Sequence, residues 1–142
     1  MDFQVMSRFD AYRYSLRDTG ETCAMVSIRY PGSAERYPEV RNNIKYMLAV
    51  TFADVADPAP VLCGITDRDA AAIASFVNQY WGKVDLFVVH CDAGVSRSAG
   101  VAAAILKAKT GRDNAIFDNY AYRPNMLCYR RVLNALMEQQ TV

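Results

Sequence analysis

Residues 90–98 read HCDAGVSRS and decide the fold of the chain. The apolar run VDLFVV at 84–89 comes directly before them, and the helix-prone stretch AGVAAAIL at 99–106 comes directly after. This pattern predicts a buried strand, a tight loop and the start of a helix. The backbone N–H groups of such a loop converge at a helix N-terminus, so the stretch predicts an anion-binding site.

Two side chains of this loop, Cys91 and Arg97, carry the chemistry that we expect there. The partial positive charge of a helix N-terminus and a nearby guanidinium both favour the thiolate, which is the nucleophilic form of cysteine. A guanidinium also offers a planar fork of donors that suits two oxygens of one phosphate. The Cys91 thiolate and the Arg97 guanidinium are therefore expected to face the same phosphorus atom. The predicted phosphate-binding residues are Cys91, Asp92, Ala93, Gly94, Val95, Ser96 and Arg97.

The motif resembles the signature of the cysteine-dependent protein tyrosine phosphatases, in which His-Cys and Arg-Ser are separated by five residues. Because the chain is short, it is most similar to the compact dual-specificity branch and to small bacterial tyrosine phosphatases. Gly94 stands at its usual place in the signature, and a looser likeness extends from about residue 25 to residue 136. The resemblance implies hydrolysis of phosphate esters through a cysteinyl-phosphate intermediate, without a cofactor or a metal.

Three further residues have expected roles beside the nucleophile. Ser98 is expected to hydrogen-bond the sulfur and to help the thiolate depart, a role compatible with capping the helix. By resemblance, His90 orders the backbone around Cys91, although a lone histidine after an apolar strand is also typical of a buried core. Asn125 follows Arg and Pro at 123–124 and by resemblance braces the phosphate loop, while it also predicts the N-cap of a last helix.

The departing oxygen needs a proton, and an aspartate on a loop is the expected donor. Asp54 and Asp57 follow the apolar run YMLAVTF at 46–52, where active-site loops of open α/β sheets emerge. Asp54 comes directly after this strand, as the general acid does in the resembling family, so we favour it. The interval from Asp54 to Cys91 is longer than compact members of the family usually have, and Asp57 shortens it. Asp57 therefore remains the alternative general acid.

The composition of the chain limits which binding partners and which cellular compartment we expect. The chain has 142 residues, with 16 Lys and Arg against 15 Asp and Glu, so neither nucleic-acid binding nor anionic-membrane binding is expected. The four cysteines form no CxxC pair and predict no zinc site. There is no signal-peptide pattern and no apolar run near the ~20 residues of a membrane span. We expect a cytoplasmic, monomeric enzyme with one domain over 1–142.

Alternating strands and helices predict a three-layer α/β fold, with a mostly parallel sheet covered by helices on both faces. Predicted strands cover 3–6, 23–28, 46–52 and 84–89. Predicted helices run from 7 to about 17, from 67 to about 80 behind a capping box of Thr66 and Asp69, from the signature to about 109, and onward from Asn125. Another helical turn or more is expected within 113–122.

Substrate and reaction class stay partly open. Relatives that act on inositol lipids tend to carry basic residues in the loop, whereas this loop carries Asp92. We therefore expect the substrate to be a phosphorylated protein, with phosphotyrosine preferred to phosphoserine or phosphothreonine, or a small aryl phosphate. Tyr30, Arg36 and Tyr37 either line the mouth of the site or are ordinary surface residues. The alternatives are a catalytically weak phosphopeptide-binding module and a sulfurtransferase-like or arsenate-reductase-like thiol enzyme, for which Cys63 and Cys128 are available.

Overall fold

The structure is a computed structural model and describes residues 1–56 and 63–140. Its sheet has the strand order β1-β4-β2-β3, and every pair of neighbouring strands is parallel. Parallel pairing brings the carboxyl ends of all four strands to one edge, which is where open α/β sheets place their sites. The strands are β1 (Asp2–Met6), β2 (Cys23–Arg29), β3 (Ile44–Thr51) and β4 (Leu86–His90).

Helices cover both faces of this sheet, which confirms the predicted three-layer α/β architecture. Alternate side chains of β2 point to opposite faces: Val26 packs into a large cluster with residues of three helices, and Met25 packs into a smaller one with Tyr14. The helices are α1 (Arg8–Ser15), α2 (Asp67–Tyr80), α3 (Arg97–Thr110), α4 (Asn114–Phe117) and α5 (Met126–Gln140). The large cluster draws on α2, α3 and α5, whereas the smaller one draws on α1.

Local sequence signals set the boundaries of two helices correctly. Both ends of α2 are as predicted. The capping box sets the first of them, since the Thr66 hydroxyl accepts from the Asp69 N–H and the Asp69 carboxylate accepts from the Thr66 N–H. The helix after the signature ends at Thr110, where Gly111 takes a left-handed conformation with φ +80°.

Other boundaries differ from the prediction because nearby groups take the backbone hydrogen bonds. The predicted helical turn within 113–122 is confirmed as Asn114–Phe117, after which the chain bends back on itself through turn-type bonds. The helix α1 ends at Ser15 because the next two N–H groups bond three residues back and tighten the last turn. The strand β4 begins at Leu86 because the Asp85 N–H is bonded to Thr22, and β3 starts two residues earlier than predicted. No helix in the described ranges is long and apolar enough to cross a membrane.

Candidate active site

The residues of the signature form a loop between the end of β4 and the start of α3. Cys91 is the first residue after β4, is 2% exposed, and has its Sγ 3.0 Å from the Ser98 Oγ. Gly94 has φ +72°, and a Cβ there would lie 2.8 Å from the Met6 carbonyl carbon and the Ser7 nitrogen. The loop therefore needs glycine both for its backbone conformation and for its close approach to the end of β1.

The Arg97 guanidinium is buried at this loop and is held by protein groups on two sides. Its Nη1 donates to the Phe52 carbonyl at 2.8 Å, and its Nη2 donates to the Asp92 Oδ2 at 3.2 Å. The other Asp92 oxygen, Oδ1, is buried and has no hydrogen-bond partner among the described residues. Asp92 thus holds Arg97 in this structure, and a bound anion competes with that carboxylate for the same fork of donors.

Asp54 lies beside the loop, fixed by two donors. Its Oδ1 accepts from the Ser96 Oγ at 2.8 Å and from the Asn125 Nδ2 at 2.8 Å. The side chain is exposed to solvent, so its carboxylate is held next to the loop and is still open to an incoming ligand. Asp57, the alternative general acid, lies outside the described residues.

Asn125 joins the loop, the Asp54 segment and α5. Its N–H donates to the Ser96 carbonyl at 2.9 Å, its Oδ1 accepts from the Cys128 N–H at 3.0 Å, and its Nδ2 reaches Asp54. The predicted capping of the last helix is therefore confirmed. A Cβ at Gly100 would lie 2.3 Å from the Asn125 carbonyl oxygen, so only glycine lets α3 and α5 approach closely enough for these contacts.

His90 is buried behind Cys91 and carries no exposed surface. Its Nδ1 lies 3.2 Å from the Cys91 carbonyl oxygen and its Nε2 lies 2.6 Å from the Ser27 Oγ. Burial lowers the pKa of His90 to about 4, so the imidazole is neutral at physiological pH.

Ser27 and Arg29 belong to this network and were missed in the sequence. The Arg29 Nε donates to the Ser27 Oγ at 3.2 Å, and Ser27 pairs with His90 across the sheet. The available signal was a serine inside an otherwise apolar buried strand, because a buried hydroxyl needs a hydrogen-bond partner.

Two of the three candidate residues at the mouth lie against the site. The half-exposed Tyr30 ring has its centroid 5.8 Å from the Arg97 Cζ. The Tyr37 Oη accepts from the Tyr30 N–H at 3.0 Å, and its ring lies 6.3 Å from that of His90. Arg36 instead lines a cavity of about 470 Å³ together with Arg29 and other residues.

Cys23, Cys63 and Cys128 form no disulfide with Cys91. All four cysteines are free, Cys63 is exposed, and Cys23 and Cys128 are buried. Burial raises the pKa of Cys23 and of Cys128 to about 12, so both are neutral thiols at physiological pH. Within 1–56 and 63–140, no group of three or more His, Cys, Asp or Glu side chains is arranged to hold a metal ion.

Comparison with known proteins gives a result at the level of structure alone. The sequence matches no protein-family model and no curated protein. The structure is similar to that of human tyrosine phosphatase-like serine/threonine/tyrosine-interacting protein, with a TM-score of 0.64, 18% identity, and coverage of 98% of this chain and 91% of that chain.

Two further solved structures are similar over almost the whole chain. A mouse putative dual specificity phosphatase, complexed with zinc tungstate, has a TM-score of 0.66 at 15% identity and covers 98% of this chain and 84% of that chain. PTPMT1 in complex with PI(5)P has a TM-score of 0.61 at 13% identity, covering 99% and 93%. The chain therefore has the fold of the compact dual-specificity branch of the cysteine-dependent protein tyrosine phosphatases, as its signature predicted.

Proposed function

We propose that this chain, built on the dual-specificity phosphatase fold, is a phosphoprotein phosphatase that hydrolyses phosphotyrosine through a cysteinyl-phosphate. The observation that carries the proposal is the loop itself, with a cysteine Sγ 3.0 Å from the Ser98 hydroxyl and a buried guanidinium from Arg97 in the same seven-residue segment. An anion bound there meets a helix N-terminus, backbone N–H groups and a guanidinium at once.

The first step transfers the phosphoryl group to the enzyme. The Cys91 thiolate attacks phosphorus, the S–P bond forms, and the P–O bond to the leaving group breaks. Asp54 in its protonated form gives its proton to the departing oxygen, an effect worth about 10²–10⁴-fold for general acid catalysis. Arg97 and the loop N–H groups hold the charge on the three equatorial oxygens.

The second step returns the enzyme to its starting form. Water attacks phosphorus, the Asp54 carboxylate takes a proton from it, and the S–P bond breaks to release phosphate and thiolate. The Ser98 hydroxyl donates to the departing sulfur, which it contacts at 3.0 Å. Asp54 is thereby protonated again, as the next cycle requires.

Two side chains support phosphotyrosine as the preferred ester. Tyr30 offers a half-exposed aromatic face beside Arg97, so an aryl group attached to the bound phosphate packs against it. The carboxylate of Asp92 repels additional negative charge near the loop, which disfavours inositol phosphates with several phosphate groups. A similar structure contains PI(5)P, so an inositol phosphate belongs among the test substrates.

A phosphopeptide-binding module is the second candidate function. The observation that favours it is the pairing of Arg97 with Asp92 and the Phe52 carbonyl, which lowers the capacity of the guanidinium to stabilise a transition state. One of the similar structures is described as a phosphatase-like interacting protein.

Steady-state hydrolysis separates the two functions. Wild type, Cys91→Ser, Asp54→Asn and Asp57→Asn are assayed with phosphotyrosine, phosphoserine and inositol-phosphate substrates. We expect Cys91→Ser to abolish turnover while phosphate binding survives, and Asp54→Asn to slow esters with poor leaving groups far more than those with good ones. A wild type that binds phosphopeptides without turnover supports the binding module, and a leaving-group effect confined to Asp57→Asn assigns the acid to that residue.

A further inference from the structure

A chain of three hydrogen bonds connects the half-buried Arg29 to the backbone of Cys91. The Arg29 Nε lies 3.2 Å from the Ser27 Oγ, the Ser27 Oγ lies 2.6 Å from the His90 Nε2, and the His90 Nδ1 lies 3.2 Å from the Cys91 carbonyl oxygen. Ser27 and His90 are both fully buried and are direct partners in the pairing of β2 with β4. Water is therefore excluded from the middle of the chain.

The direction of these bonds follows from the chemistry of the donors. A guanidinium nitrogen can only donate, so the Ser27 oxygen accepts from Arg29. The single Ser27 proton then has one acceptor within reach among the described residues, the His90 Nε2. Neutral imidazole carries one proton, and a nitrogen that accepts leaves that proton on Nδ1. The Nδ1–H accordingly donates to the Cys91 carbonyl.

The opposite tautomer is unfavourable on two counts. It turns the Nδ1 lone pair toward a carbonyl oxygen 3.2 Å away, and it leaves the buried Ser27 hydroxyl proton without an acceptor. The charged groups that act on His90 are Arg29 and Arg97, which disfavour the imidazolium, and Asp92, which favours it. Burial acts in the same direction as the two arginines and outweighs Asp92 and the bond to the Cys91 carbonyl, so the pKa of His90 is lowered and the ring stays neutral, as the tautomer argument requires.

The hydrogen bond from His90 fixes the orientation of the Cys91 carbonyl and, with it, the orientation of the Asp92 N–H, the next amide of the phosphate-binding loop. The peptide bond is planar and trans, so the Asp92 N–H points opposite to the Cys91 carbonyl. A carbonyl held on the buried His90 side therefore turns the Asp92 N–H away from that side.

We propose that Ser27 and Arg29 are positioning residues, which fix the Nδ1–H tautomer of His90 and, through the Cys91 carbonyl, aim the Asp92 N–H at the bound phosphate. The tautomer is a property of the folded chain alone. The aim at phosphate rests on the proposed function.

Nuclear magnetic resonance of the imidazole tests the tautomer without any substrate. His90 is the only histidine of the chain, so a long-range ¹H–¹⁵N correlation spectrum contains one imidazole and needs no assignment. We expect the Nδ1–H tautomer in the wild type and a measurable rise of the Nε2–H population in Ser27→Ala, in which the Cys91 carbonyl is the one remaining group that opposes it. The matched control is Ser15→Ala, which removes another buried serine whose hydroxyl bonds the Tyr12 carbonyl instead. An Nε2–H tautomer in the wild type, or a wild-type spectrum in Ser27→Ala, overturns the proposal.

Phosphate affinity and kinetics test the second half. We expect Ser27→Ala and Arg29→Met each to weaken binding of inorganic phosphate and to lower kcat/KM by about fivefold to tenfold, the size of one lost hydrogen bond. Arg41→Met is the control for Arg29→Met, because Arg41 lines the same cavity and has no bond to Ser27. If Ser27→Ala shifts the tautomer and leaves phosphate affinity and kcat/KM unchanged, the positioning role is wrong. A wild type with the Nδ1–H tautomer, normal phosphate binding and no turnover overturns the proposed phosphatase activity and leaves the tautomer and the aim of the Asp92 N–H supported.

Discussion

Acid should destabilise this protein through one buried group, His90. Its pKa is lowered by burial from 6.5 to about 4 in the folded chain. Below pH 6.5 the unfolded chain binds a proton that the folded chain does not accept until about pH 4, so the free energy of unfolding falls as the pH falls through this window. The gap between 6.5 and about 4, at about 1.4 kcal/mol for each pH unit, corresponds to a loss of roughly 3 kcal/mol.

Urea unfolding at a series of pH values between 7 and 4 measures this loss, with the single tryptophan, Trp81, as a fluorescence reporter. Carboxylates also titrate in this range, so the informative quantity is the difference between the wild type and His90→Gln, which does not titrate at that position. We expect the free energy of unfolding of the wild type to fall more steeply by roughly 3 kcal/mol over the window. Parallel curves for the two proteins would refute a neutral buried imidazole at this site.

Substitutions at three positions of the site, two of them with a control variant, have directional outcomes. Gly94→Ala should weaken phosphate binding by more than about tenfold, because its Cβ meets backbone at 2.8 Å. The control, Gly20→Ala, has a similar positive φ and no atom within 4 Å, so it should only lower the free energy of unfolding, by about 1 kcal/mol. Equal effects of the two substitutions on phosphate binding would contradict this. Asn125→Ala should lower the free energy of unfolding by about 1–2 kcal/mol through loss of the cap, and it should slow the hydrolysis of esters with poor leaving groups. Asn125→Asp keeps the cap and brings a second carboxylate to Asp54, so it should lose activity with a smaller loss of stability in urea. Asp92→Asn should tighten binding of inorganic phosphate several-fold in calorimetry, since it removes a competing charge, and weaker binding would show that the carboxylate supports the guanidinium instead.

The local parts of the site could be predicted from the sequence because each depends on neighbours in the chain. Residues 90–98 contain Cys91, Gly94 and Arg97 within one short loop, and their flanks specify the strand and the helix. The capping box of Thr66 and Asp69 and the glycine at 111 fixed helix ends in the same way, since a cap needs only residues three or four positions apart.

The remaining parts depend on register between distant segments. Ser27 meets His90 only because β2 and β4 pair with this particular alignment, and a shift of one residue would turn Ser27 to the other face. Arg97 pairs with the Phe52 carbonyl, 45 residues away in the chain, a contact that no local pattern encodes. The sequence left the length of α4 open, and α4 ends at Phe117 because turn-type bonds take over where the segment packs on α3.

Covalent catalysis by Cys91 is tested most directly by acid quenching of the enzyme during turnover of a ³²P-labelled phosphotyrosine peptide. We expect label on the protein in wild type, in an acid-stable linkage located by peptide mapping at Cys91, and no label and no turnover in Cys91→Ser. Undiminished turnover by Cys91→Ser, or label on any other residue, would contradict the cysteinyl-phosphate and with it the proposed function.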